Sequence, residues 1–153
     1  LHDIANDEER VLKAIKERTK SQLELKKRER LLKTKREQID IVINESKEKI
    51  YNMPVDEYFS FILKLCKRHI RPQKGEIIFS RRDIKRLPEY FKSNVEELAK
   101  NLGGELKISN QTCDINSGFI LSYGDIEENC SIDALFEERQ DKIFDMVSEV
   151  LFS

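Results

Sequence analysis

The sequence predicts an α+β protein, built as one long N-terminal coiled-coil helix followed by a small C-terminal domain whose four-stranded, mainly antiparallel sheet is packed by helices. Three observations predict it. Residues 1–50 contain no Gly and no Pro, and strong helix formers fill them almost throughout. With 37% charged and only 39% apolar residues, the 153-residue chain is too polar to be globular along its whole length, so part of it is extended. The stretch from Asn116 to Arg139, NSGFILSYGDIEENCSIDALFEER, packs two short strands, a turn and a helix start into one continuous unit. The division that follows is a stalk-like helix over residues 1–52 and a globular domain over residues 53–153.

A helix over residues 1–50 spans roughly 75 Å at the α-helical rise per residue. Ile4, Val11, Leu25, Leu32 and Ile39 share one seven-residue register, broken only by Arg18, and Ile15, Ile43 and Ile50 form a second row four positions on. So thin a stripe cannot be buried within a lone helix, which therefore needs a partner helix along its length. Ile4/Ile15, Leu32/Ile43 and Ile39/Ile50 are also eleven apart, a spacing that favours a right-handed supercoil over the left-handed one of a heptad. Both hands stay open. Lys20 to Arg36 holds eight basic and two acidic residues. A solvated face accounts for this excess, and an acidic partner helix or surface is the sharper alternative. Aromatic residues, which base stacking would require among the cations, are absent there.

Asn52-Met53-Pro54 ends the long helix and starts a second, because the residue before proline is pushed out of helical geometry. Val55, Tyr58, Phe59, Ile62, Leu63, Cys66 and Ile70 give this second helix a wide apolar stripe, suited to packing on a sheet. Glu76 to Phe79 reads as a first strand. Ser80 with Asp83, and Ser93 with Glu96, resemble capping arrangements, so two helical pieces divided around Leu87-Pro88 reach Asn101, closed by Gly103. Glu105 to Ser109 alternates as a strand, and Asn110 to Asn116 is expected to be a polar loop. In the hairpin, Gly118 to Tyr123 runs out, Gly124-Asp125 supplies the turn and Ile126 to Cys130 runs back. Ser131 is placed as an N-cap, with Asp133 in the first turn of a helix that continues to Leu151. Ile143, Met146, Val147, Val150 and Leu151 share a face of that helix and are expected to cover the second half of the sheet.

Chemistry is harder to find. His69 lies near the second helix's stripe, but no His, Cys or carboxylate offers ligand spacing with it. Gly103-Gly104 follows a helix and lacks a Lys-Ser/Thr pair, which excludes a phosphate loop. Asp125, Glu127 and Glu128 alternate between strand faces and form no evident carboxylate pair. No catalytic, cofactor or metal site is expected. Cys66, Cys113 and Cys130 are odd in number and scattered, which favours a reducing compartment and a cytoplasmic chain. Charge gives little direction: 28 basic residues face 29 acidic ones, with residues 1–50 at +3 and the remainder at −4 of the total −1. No membrane span or secretory leader is expected, and the opening on Leu1 in place of Met leaves room for a start further upstream.

The order of elements and the hairpin sequence resemble one family. Ser117 to Glu127 (SGFILSYGDIE), Asn129-Cys130-Ser131 and Asp133-Ala134-Leu135 to Glu138-Arg139, after a Leu102-Gly103-Gly104 turn, are similar to the E subunit of rotary V-type and archaeal-type ATPases. The matching signature positions are Gly118, Tyr123, Gly124, Asp125, Ser131, Asp133 and Leu135; the first of a frequent Gly-Gly pair is Ser117 here. The layout matches over the whole chain, with the last third carrying most of the likeness. This form of the signature looks more prokaryotic than eukaryotic. The resemblance implies a non-enzymatic peripheral-stalk subunit, cytoplasmic and peripheral to the membrane, without cofactor, small-molecule substrate or nucleic acid. It implies that the long helix pairs with the G-type stalk subunit (H in archaea) and that the C-terminal domain grips the catalytic A/B head, chiefly the B subunit. The membrane stator subunit (a or I) would be reached indirectly, and the stalk would hold the head against rotor torque during H⁺ or Na⁺ transport. A basic coiled-coil protein that binds nucleic acid through Lys20 to Arg36 is the alternative, and an enzyme ranks third.

Overall fold

The computed structural model describes residues 2–153 and contains two compact units, residues 1–42 and Ile43–Ser153. Helix α1 (His2–Tyr51) is unbroken, as a run without Gly or Pro dictates. Its last two turns belong to the second unit. There the Arg82 guanidinium donates to the Tyr51 carbonyl at 2.6 Å and stacks over the Tyr51 ring at 3.7 Å, satisfying a helix-end acceptor with a cation.

Pro54 opens α2 (Val55–His69), and strand β1 (Lys74–Ser80) follows. Two helices, α3 (Arg81–Lys85) and α4 (Glu89–Asn101), cross over to β2 (Glu105–Cys113). The hairpin is β3 (Gly118–Ser122) and β4 (Glu127–Ser131), and α5 (Ile132–Glu138) and α6 (Gln140–Phe152) complete the chain. The sheet order is β2-β1-β3-β4, with β1 parallel to β2 and antiparallel to β3, and β3 antiparallel to β4. Two of three pairings are therefore antiparallel, as the sequence predicts.

The core joins the α2 stripe to the sheet. Tyr58, Phe59, Ile62 and Cys66 are fully buried with Ile77, Phe79, Phe91, Val95, Phe119 and Leu121. Phe79 sits at the centre of an edge-to-face cluster, 6.2 Å from Phe59, 5.6 Å from Phe91 and 6.4 Å from Phe119. Under it lies a buried polar knot. The Tyr58 hydroxyl donates to Asp83 Oδ2 at 2.6 Å and accepts the Gly118 N–H at 2.8 Å. Asp83 also receives Arg86 Nε at 3.2 Å, and its own N–H donates to the Ser80 hydroxyl at 3.1 Å. Burial and the Asp83 carboxylate push the Tyr58 hydroxyl well above its ordinary pKa, so it stays a donor.

Four expectations need correction. Ser93 lies inside α4, whose N-cap is Pro88; proline's fixed φ and missing N–H start the helix before Ser93 can. Residues 110–113 are strand, continuing β2 after a register shift between Ile77 and Phe79 of β1. A strand at the sheet's rim tolerates the polar Asn110, Gln111 and Thr112 that made the segment read as loop. The last helix is broken at Arg139 (φ −106°, ψ 19°) although nothing near it has breaker chemistry. Finally, α6 buries no residue: Met146 and Val150 are 59% and 79% exposed, so α6 does not close the core. Amphipathic spacing reports that a face seeks cover, not that its own chain supplies it.

Gly118 and Gly124 both have positive φ, +94° and +83°, but differ in their surroundings. A Cβ on Gly118 would lie 2.5 Å from the Cys130 carbonyl oxygen and 2.8 Å from Ser131 Cα, whereas one on Gly124 meets nothing within 4 Å. We expect Gly124→Ala to cost about 1–2 kcal/mol, the left-handed backbone strain alone, and Gly118→Ala more than about 3 kcal/mol. Equal losses in urea unfolding would refute this reading. Tyr58→Phe should cost about 1–3 kcal/mol in the same assay by stranding the Gly118 N–H and one Asp83 oxygen.

Candidate functional site

The hairpin signature divides between two places. Gly124 and Asp125 are exposed at the tip, where the Tyr123 N–H closes the turn on the Ile126 carbonyl at 2.8 Å. Tyr123 itself is buried, and its hydroxyl accepts the Arg71 N–H at 2.9 Å just beyond the end of α2. At the other end Gly118, Ser131, Asp133 and Leu135 gather at the start of α5. The Ser131 hydroxyl accepts the Ala134 N–H at 3.1 Å, so the expected N-cap is present. Asp133 meets Lys47 Nζ at 3.2 Å, and the Lys47 ammonium lies 5.5 Å from the Phe136 ring centre. Leu135 is half-buried. The signature thus fastens the hairpin to α1 and α2 and does not converge on one reactive point.

The structure does assemble one cluster that the spacing in sequence hides. Glu128 and Cys130, two apart on β4, point to one face, and the end of α2 brings His69 against them. Their ligand atoms lie within 4.8 Å of one another, the sole grouping of metal-ligand type among the described residues. Yet the Glu128 carboxylate already meets His69 Nδ1 at 2.9 Å and Arg71 Nε at 3.7 Å. Burial, with the Glu128 charge second, pushes the Cys130 thiol up to about 12, leaving it protonated at neutral pH. Burial likewise raises Cys66. With its carboxylate already engaged by His69 and Arg71, Glu128 serves as a polar bridge from β4 to α2. His69 and Glu128 are 59 residues apart, and no local pattern links them.

Along α1 the seam positions differ in exposure. Ile4, Val11, Ile15, Leu25 and Leu32 are each more than half exposed, as are Leu12, Leu23, Leu31 and Ile41, which the seven-residue register leaves out. Ile39 is buried, Ile43 half-buried, and Ile50 packs against the core of the second unit. No helix among the described residues is long and apolar enough to cross a membrane.

Comparison with known proteins gives this architecture a family. Residues 1–152 match the family described as ATP synthase (E/31 kDa) subunit. The E subunit of a V-type proton ATPase from Clostridium botulinum (Loch Maree, Type A3) is 35% identical over 139 residues, 90% of this chain and 70% of that protein. An E subunit of the V-type ATP synthase of Clostridium tetani is 34% identical over 132 residues, covering 82% and 64% of the two chains. The corresponding V-type ATP synthase E subunit of Acetivibrio thermocellus is 31% identical over 106 residues, 68% of this chain and 54% of that one. A fifty-residue helix, a four-stranded mixed sheet and a match over nearly every residue agree: the chain belongs to the ATP synthase (E/31 kDa) subunit family, the E subunits of V-type ATP synthases.

Proposed function

We propose that the chain is a non-catalytic peripheral-stalk subunit, a stator that ties the catalytic head of a rotary ATPase to its membrane part. One observation carries the reading: five apolar residues of the seam, Ile4, Val11, Ile15, Leu25 and Leu32, stand more than half exposed along α1. Covering a side chain of this size is worth about 1.5–3 kcal/mol, so a partner helix along the row would gain a large share of its affinity there. The G/H-type stalk subunit is that partner in our reading. The C-terminal domain, whose signature residues fasten elements together, holds the A/B head, chiefly B, and the membrane stator subunit is reached indirectly. Rotation of the shaft exerts a reaction torque on the head. Without a tether, hydrolysis would spin the head instead of moving H⁺ or Na⁺. The role needs neither cofactor nor substrate and places the chain in the cytoplasm beside the membrane. The seam residues Ile39, Ile43 and Ile50 contribute less to the partner contact than the five exposed ones, since they are already covered wholly or in part.

The purified chain mixed with its cognate helical stalk subunit should form a stable one-to-one complex with a gain in helix, measured by light scattering and circular dichroism. Ile15→Asp and Leu32→Asp should each weaken it at least about tenfold, the loss of roughly 1.4 kcal/mol or more, while the melting of the globular unit holds. A chain that stays monomeric, or instead binds duplex DNA tightly with a steep salt dependence, would favour a nucleic-acid role for the Lys20 to Arg36 cluster.

A further inference from the structure

We propose that His69, Glu128 and Cys130, with Cys66 as the fourth donor, form a zinc site that clamps the end of α2 to the outer strand β4. An imidazole, a carboxylate and a thiol bring their ligand atoms within 4.8 Å of one another. In a tetrahedral zinc site of this composition the ligand atoms stand roughly 3.3–3.8 Å apart, as bond lengths of about 2.0–2.3 Å dictate. The cluster therefore closes by about 1 Å at its widest, while His69 Nδ1 and Glu128 Oε1, now 2.9 Å apart, open by about half an ångström. The backbone already sets the spacing: Glu128 and Cys130 alternate onto one face of β4, and Cys66 and His69 lie one turn apart on α2. Cys66 and Cys130 are free thiols, both fully buried, and close enough for a charge on one to act on the other. The His69 and Glu128 side chains are 21% and 29% exposed, which gives a cation a way in from solvent while the sulfurs stay out of it.

The donor set selects the ion. Thiols and an imidazole suit Zn²⁺, whereas Mg²⁺ and Ca²⁺ take oxygen ligands. Glu128 has an oxygen for each duty: Oε1, which meets His69, turns to the ion, and Oε2 keeps the Arg71 guanidinium at 3.7 Å. A metal-binding carboxylate held from its other side in this way is fixed in orientation. Charge also balances. Zn²⁺ offsets the two thiolates, and Arg71 offsets the Glu128 carboxylate, so the half-buried cluster carries no net charge. As the ion binds, the proton of neutral His69 passes from Nδ1 to Nε2, and both thiol protons go to water, since a coordinated sulfur is a thiolate.

The test uses the full chain, reduced and stripped with a chelator, then titrated with Co²⁺ and afterwards with Zn²⁺. One equivalent of Co²⁺ should give thiolate-to-cobalt charge-transfer absorption in the near ultraviolet with the visible bands of a tetrahedral ion, and one equivalent of Zn²⁺ should abolish both in excess Mg²⁺. Cys130→Ser and Cys66→Ser should each remove about half of the charge-transfer intensity, and Cys113→Ser none. His69→Gln and Glu128→Gln, at partly exposed positions that leave the core intact, should each weaken Zn²⁺ at least about 100-fold in chelator competition, since losing a group that merely orients a ligand costs about 10–100-fold. Zn²⁺ at about 100 times its Kd should raise the folded-to-unfolded ratio of the wild type about 100-fold, read as a higher urea midpoint. A chain that takes up no Co²⁺ at one equivalent, wild-type Zn²⁺ affinity in His69→Gln and Glu128→Gln, or a urea midpoint that Zn²⁺ leaves in place overturns the site, and none of these results touches the stalk reading. A full charge-transfer band in Cys66→Ser overturns Cys66 as the fourth donor.

Discussion

The compact unit depends on a single hydroxyl. Tyr58 sits on the second helix, yet its oxygen holds the Asp83 carboxylate on α3 and the Gly118 N–H at the start of β3. A buried carboxylate without partners costs several kcal/mol, so the arrangement stands only while the tyrosine and Arg86 reach it, with the Asp83 N–H held by the Ser80 cap. Gly118 must in turn pass close enough to the Cys130 carbonyl to exclude any side chain. Helix, crossover and hairpin are thereby locked at one point, and the phenylalanine cluster around Phe79 fills the space that this lock defines.

From that fixed frame the chain presents surfaces it cannot complete alone. The residues of α1 before Val42 carry apolar side chains in the open, and α6 carries more of them on a helix that buries nothing. A soluble monomer seldom leaves contiguous apolar surface uncovered without a use for it. Several polar features of the second unit are, by contrast, engaged internally: Lys47 by Asp133, Arg82 by the Tyr51 carbonyl, His69 and Arg71 by Glu128. Such a distribution accords with a subunit of a larger complex, as the family to which the chain belongs implies.

Most elements were legible because their signals are local. A glycine-free, proline-free run gives α1, Pro54 starts α2, Leu87-Pro88 divides α3 from α4, Ser80 and Ser131 cap α3 and α5, and runs of strand formers with turn residues give the strands. What failed to show is what tertiary contact decides. Arg139 leaves helical geometry without a residue type that forces it, so periodicity reads straight through the break. The polar 110–113 segment became strand because β1 shifts register to meet it. The His69–Glu128 bridge joins residues too distant in sequence for any spacing rule. The α6 stripe reads in sequence as cover for the sheet, yet α6 buries no residue, because amphipathicity carries no address for what a face packs against.

The sheet's rims carry a consequence of their own. One outer strand, β2, is displaced in register and ends in Asn110, Gln111 and Thr112; the other, β4, is only five residues long and begins with Glu127 and Glu128. Bulged, short and charged borders are poor templates for stray β-strands. Newly made copies that wait for their assembly partners with so much grease on display are thus shielded from the commonest route to amyloid-like clumping, and the hazard of stickiness is confined to the helices.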